Sequence, residues 1–127
     1  MYQKKRVLVN VIPWTDGIEE IRSCNVRIDR NLAINIISMD YASFLGCRIT
    51  AEEPILALVN NEPVKLLGTT NILLRLPKTK RIKGNFTKIK CTVAENPKYN
   101  IILARKTQIS LKLYPQPVQP TPYTQHS

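Results

Sequence analysis

Enzyme chemistry needs side chains that move protons, attack carbon or hold a metal, and in this chain of 127 residues such groups are few. The one histidine is His126, next to the last residue. Its position removes Ser/His and Cys/His nucleophile pairs and any histidine-built zinc site. The four glycines, at 17, 46, 68 and 84, form neither a G-x-G-x-x-G nor a G-x-x-x-x-G-K phosphate cradle. Cys24, Cys47 and Cys91 are an odd number with no C-x-x-C spacing, and read as reduced thiols packed in a core. No metal or other cofactor is expected. Carboxylates remain. Asp16 belongs to an Asp-Gly turn and Asp40 to the start of a helix, which leaves Asp29, in "RIDRNLAINIIS", without a local structural role. An acid set between apolar runs is costly when ionised unless it is paired. Asp29 is therefore either a structural carboxylate, paired with Arg27 or Arg30, or a group that does acid–base work.

The elements that must position it are mostly strands. "KRVLVNVIP" alternates, with Val7, Val9 and Val11 on one face. Asp16-Gly17 then turns the chain, and "IEEIRSCNVRI" returns, with an irregularity expected near Ser23 and Cys24 and Asp29 at its end. "INIIS" is a short buried run. "SMDYASFLG" has a helix pattern, with Ser38 as N-cap, Asp40 in the first turn and Gly46 just past the end. "ILALVNNEPVKLLG" reads as a hairpin about Asn60, Asn61, Glu62 and Pro63, and "TTNILLRLP" puts Ile72, Leu74 and Leu76 on one face. "FTKIKCTVAE" alternates with Ile89, Cys91 and Val93 inward, "YNIILA" is a buried run, and "ISLKLY" alternates through Ile109, Leu111 and Leu113. The expected fold is mostly β, a small closed or sandwiched sheet with one short helix. Residues 1–114 form one domain, and 115–127, with Pro115, Pro117, Pro120 and Pro122, a flexible tail. That tail reads as a linker; the P-x-x-P spacing at Pro117 and Pro120 is one that an SH3 or WW domain reads, but such spacings are common in any proline-rich tail.

Nineteen bases against nine acids give a net charge of +10. The densest basic stretch is "PKTKRIKGNFTKIK", with Lys78, Lys80, Arg81, Lys83, Lys88 and Lys90. It reads either as a nucleic-acid contact through phosphates or as a solvated turn that blunts a sheet edge. The sequence places only Phe86 beside it. No apolar run approaches the roughly eighteen residues of a membrane span, and the start of the chain reads as a strand rather than a signal sequence. A cytoplasmic or viral-particle location, not secretion, is the expectation.

The order of the segments resembles the retropepsins, the aspartic proteases of retroviruses and LTR retrotransposons, over roughly residues 5 to 114. "VRIDRNLAINIISMDYASFLGCRI" is similar to the segment in which a strand ends in Asp-Thr-Gly-Ala-Ser and runs on through an apolar strand into a short helix ending in Leu-Gly. "LVNNEPVKLLGTTNILLRL" is similar to the flap hairpin. "FTKIKCTVAENPKYNIILARKTQISL" is similar to the closing part, where Ile-Leu-Gly-Arg-Asp precedes the last helix or strand. The resemblance implies a homodimer in which each chain supplies one aspartate, the two carboxylates share a proton, and flaps close over an extended peptide. It assigns Asp29 the catalytic role and Asn60, Asn61, Glu62, Pro63 and Val64 the flap tip.

The chain departs from the family where the active centre is built. Arg30 stands where the family has Thr or Ser, Asn31 where it has Gly, and Leu32 and Ala33 follow in place of Ala and Ser. Ala104, Arg105 and Lys106 replace Gly-Arg-Asp. A two-fold axis brings both Arg30 side chains together, and a guanidinium beside the aspartates favours their charged form over a shared proton. Asn31 tolerates a glycine-like backbone but fills space. The expected function is a homodimeric retropepsin-like domain of retroelement origin, catalytically impaired, acting as a dimerisation or peptide-binding pseudoprotease. Its alternatives are an active endopeptidase that processes a polyprotein and a basic RNA-binding module. No membrane partner is expected.

Overall fold

Residues 7–13, 70–75 and 88–93 alternate between buried and more exposed positions, as predicted. The computed structural model describes residues 6–14, 20–59, 61–76 and 85–112. The expected Asp16-Gly17 turn, Asn60, the basic residues Lys78, Lys80, Arg81 and Lys83, and the proline-rich segment lie outside these. The described elements are β1 (Arg6–Pro13), β2 (Arg22–Asp29), β3 (Ile36–Ser38), α1 (Met39–Leu45), β4 (Thr50–Val59), β5 (Glu62–Arg75), β6 (Thr87–Glu95), β7 (Ile101–Ala104) and α2 (Arg105–Leu111). The strands form one sheet in the order β1-β2-β7-β3-β6-β5-β4. Pairing of β1 with β5, from Asn10 opposite Arg75 to Pro13 opposite Ile72, bends six of them into a ring and leaves β4 outside. Ring closure removes the free edge of β1 and leaves β4 as the one edge strand of the described sheet.

Val9, Val11, Val26, Ile37, Ile72, Leu74, Val93, Ile101 and Leu103 fill the ring with almost no exposed surface. A second, smaller cluster, Ile36, Val59, Val64, Leu66, Ala94 and Ile102, lies on the other side of β3 and β7. Ile36 and Ile37, like Ile101 and Ile102, thus face different cores, which is why these strands read as unbroken apolar runs rather than alternations. The helix α1 is bounded as its sequence requires. Ser38 Oγ accepts the Tyr41 N–H at 3.0 Å, and Gly46, at φ 80°, donates to the Ser43 carbonyl.

Three expectations change. The β1–β2 register runs unbroken from Arg6 opposite Arg27 to Val11 opposite Arg22, so Ser23 and Cys24 carry no irregularity. The register shifts fall instead between Ala51 and Ile55, and between Leu66 and Gly68, where β5 runs as one long strand through both segments read separately. Finally, there are two helices among the described residues. Ile109 and Leu111 lie on α2, not on a strand. Two apolar residues with one between them are too short a run to separate period 2 from period 3.6. What fixes the helix is tertiary: Gln108 is buried and Leu111, three residues on, packs against the main core.

α2 begins poorly. Ala104 gives no side-chain cap, and Arg105 and Lys106 place positive charge at the positive end of the helix dipole. Lys106→Glu is expected to stabilise the fold by about 0.3–1 kcal/mol, read as a higher denaturation midpoint at low salt. The thiols behave as packing groups: Cys24 and Cys91 are buried and Cys47 half-buried. Burial pushes the Cys91 thiol up to about 12 and raises those of Cys24 and Cys47 as well. A thiol reagent at pH 8 is therefore expected to modify Cys47 before the other two, measurable by peptide mapping over time.

Candidate active site

Asp29 closes β2 with 7% of its surface exposed. It lies in parallel register beside Ala104, the last residue of β7, on the side of the strand opposite Val26 and Ile28. The chain then turns at once. Asp29 Oδ1 accepts the Asn31 N–H at 2.9 Å, and the Asp29 carbonyl accepts the Leu32 N–H at 3.4 Å. The carboxylate is thus oriented by its own loop, the self-capping turn that aspartate favours. Neither expected arginine partner pairs with it among the described residues. Arg27 turns to Tyr99, stacking at 4.9 Å from the ring centroid and donating to Tyr99 Oη at 3.2 Å. Arg30 and Asn31 are both exposed, Ala33 is exposed, and Leu32 packs against the smaller cluster. Asn31 does not use the glycine-like conformation that asparagine tolerates, since the non-glycine left-handed residues among those described are Asn61, Asn96 and Lys112.

One residue missed in the sequence holds this loop. Asn35 accepts the Ala104 N–H on Oδ1 at 2.9 Å, donates from Nδ2 to the Lys90 carbonyl at 3.2 Å, and accepts the Thr92 N–H on its backbone carbonyl at 2.8 Å. It ties the segment after Asp29 to β6 and β7 together. Its signal in the sequence is only an amide amid "AINII", and nothing there marks it as a clamp. Asn35→Ala orphans the Ala104 N–H and is expected to cost about 1–3 kcal/mol in chemical denaturation, with Asn35→Asp retaining part because it keeps the acceptor.

The hairpin of β4 and β5 stands over the smaller cluster. Val59 lies opposite Glu62, and Asn61 just before it takes φ 64°, which asparagine tolerates at a hairpin tip. Val64 faces inward and is buried, whereas Glu62 and Pro63 are exposed. Ile55, Leu56 and Leu58 of β4 are 59%, 72% and 69% exposed. β4 pairs with β5 on one side only, so this is an apolar outer strand exposed on both faces. Ala104 is buried, and Arg105 and Lys106 are exposed just beyond it. The fold therefore brings the altered closing motif directly beside Asp29. Among the described residues, no three His, Cys, Asp or Glu side chains gather as a metal site. The chemistry within reach is that of a single oriented carboxylate.

Solved structures share this arrangement of strands. The protease of EIAV, complexed with the inhibitor HBY-793, superimposes with a TM-score of 0.59 at 17% identity, covering 89% of this chain and 92% of its own. The retroviral protease-like domain of Ddi1 from Leishmania major superimposes with a TM-score of 0.55 at 11% identity, covering 87% of this chain and 78% of its own. The fold is retropepsin-like. No protein-family model and no curated protein matches the sequence, so at these identities the likeness rests on the shared strand arrangement. Within the retropepsin-like fold, the strand ending in Asp29, the β4–β5 hairpin and the β7–α2 junction are the three segments whose sequence resembled that family.

Proposed function

We propose that this chain is a retropepsin-like module that pairs with a second copy and holds an extended peptide, with its cleavage chemistry impaired. The observation that carries the reading is the contrast at one loop. Asp29 is retained, buried and oriented by the Asn31 N–H, while the next two side chains, Arg30 and Asn31, are exposed and unlike the small neutral residues the chemistry needs. Aspartic catalysis uses two carboxylates sharing a proton, one as base toward water and one as acid toward the peptide carbonyl. A single chain offers Asp29, so the second carboxylate comes from a partner copy across a two-fold axis. That axis also brings two guanidinium groups together at Arg30, and their repulsion opposes the close approach of the carboxylates.

Ile55, Leu56 and Leu58 support the binding half of the reading, because an outer strand this apolar gains from being covered. A peptide lying extended against the hairpin takes main-chain bonds from strands and places alternate side chains in pockets. Retroelement origin and a cytoplasmic or viral-particle setting belong to the same proposal. The test is a peptide-library cleavage assay across pH on wild type and Asp29→Asn, beside sedimentation of both. A dimer without cleavage supports the proposal. Cleavage by wild type that is lost in Asp29→Asn replaces it with an active endopeptidase carrying a variant loop, and a monomer at high micromolar concentration removes the pairing.

A further inference from the structure

The sequence placed one aromatic residue, Phe86, near the basic segment, and the fold adds a second. In antiparallel strands, directly opposed residues share a face. On the outer face of β5 and β6, Leu73 lies opposite Lys88 and Asn71 opposite Lys90. The strand β1 continues this face on the other side of β5, and its pairing carries on past Pro13, with the Trp14 N–H donating to the Asn71 carbonyl at 3.2 Å. Trp14 is thereby set two strands from Lys88, whose Nζ lies 4.6 Å from its ring centroid. Arg75 lies over Phe86 at 4.3 Å. Trp14 is 48% exposed, and Lys88 and Lys90 are exposed.

We infer that this face of β1, β5 and β6 binds single-stranded nucleic acid, with Trp14 and Phe86 as stacking surfaces and Arg75, Lys88 and Lys90 as phosphate partners. Charge complementarity carries the choice of occupant. None of the residues opposed on this face is an acid, the whole chain bears +10, and the segment joining β5 to β6 adds Lys78, Lys80, Arg81 and Lys83 in sequence. Trp14 and Phe86 stand four residues apart along the strands, about 14 Å at strand rise. Aromatic rings on a basic sheet suit unpaired bases, which expose their faces for stacking, whereas a duplex offers this surface only phosphates. The Asp29 loop contributes no side chain to the face, so this inference stands independently of the peptide-binding proposal.

Trp14 is the one tryptophan in the chain and so reports directly. The full chain is titrated with a 12-nucleotide oligouridylate while its fluorescence is followed, beside heparin as a polyanion without bases and an RNA duplex of equal length. The oligouridylate is expected to quench Trp14, with affinity falling as salt rises, and heparin to bind without matching the quench. By anisotropy of a labelled oligouridylate, Trp14→Ala is expected to weaken binding by about 5- to 100-fold while leaving heparin binding unchanged. Lys88→Glu with Lys90→Glu, at exposed positions that leave the core intact, is expected to weaken both ligands at least about tenfold. Circular dichroism checks that each variant is folded. Should the Trp14 variant misfold, quenching of wild type together with the lysine variant decides. Absent binding, a preference for duplex, equal quenching by heparin, or oligouridylate affinity indifferent to both sets of changes overturns the inference and leaves a solvated basic face.

Discussion

Arg30→Thr combined with Asn31→Gly is expected to switch on endopeptidase activity, raising cleavage of an extended apolar peptide at least about 100-fold over wild type at mildly acid pH. The magnitude is that of positioned acid–base catalysis, which a correctly placed carboxylate pair supplies and a repelled pair does not. The geometry favours this outcome because Asp29 is held by the main chain. Its Oδ1 takes the Asn31 N–H, and its carbonyl the Leu32 N–H. Both donors are main-chain N–H groups and survive Arg30→Thr and Asn31→Gly. Asn31 is not left-handed, so glycine there relieves no backbone strain; its gain is room above the carboxylate. Threonine removes the cation and, in the proposed dimer, supplies a hydroxyl that can reach across the two-fold axis. Adding Asp29→Asn to the double variant is expected to return activity to background. Activity that survives Asp29→Asn points to a contaminating protease, and silence from a folded, dimeric double variant places the block elsewhere, with Ala104, Arg105 and Lys106 the next positions to restore.

Gly68→Ala is expected to destabilise the protein by about 1–3 kcal/mol and to loosen the β4–β5 hairpin first. A Cβ on Gly68 runs into the Thr50 carbonyl oxygen and meets the Ala51 Cα at 3.0 Å. Both are main chain of the paired strand, so no side chain can swing away to make room. The clash sits where the β5–β6 register shifts between Leu66 and Gly68, close to the shift in β4 between Ala51 and Ile55. These irregularities let one long strand, β5, serve the closed ring at one end and the projecting hairpin at the other. Hydrogen exchange on Gly68→Ala is expected to show lost protection in β4 and in the first half of β5, with β1, β2 and β7 protected nearly as in wild type. Uniform loss across the sheet instead identifies the hairpin as part of one cooperative unit.

Much of the scaffold was legible because its causes are local. Alternation in "RVLVNVIP" and "TKIKCTVAE" reflects strands with one face on the core, and β1 follows it from Val7 to Pro13 and β6 from Lys88 to Val93. The helix α1 announces itself through Ser38 and Gly46, whose roles involve atoms no more than four residues away. The hairpin follows from two apolar runs around Asn60 and Asn61. The departure at Arg30 and Asn31 was equally plain, since a motif is contiguous and its loss can be read in place. Asp29 was found by elimination, as the acid with no local work, and it closes a strand as expected.

Other features depended on residues far apart in the chain. Closure of the ring joins β1 to β5, and neither strand carries a mark of its second partner. Asn35 reaches Ala104 and Lys90, and Trp14 reaches Lys88; an amide in an apolar run and a tryptophan after a proline are uninformative until the sheet brings their partners near. The second helix shows the limit in reverse, because "ISL" fits a strand and a helix equally and packing of Leu111 against the main core decided between them. Sequence alone determined the strands, the first helix and the altered loop, through periodicity and capping that act within a few residues. Tertiary structure decided what surrounds Asp29 and which face gathers Trp14 with the lysines, because those contacts are set by sheet register and ring closure, which no short stretch encodes.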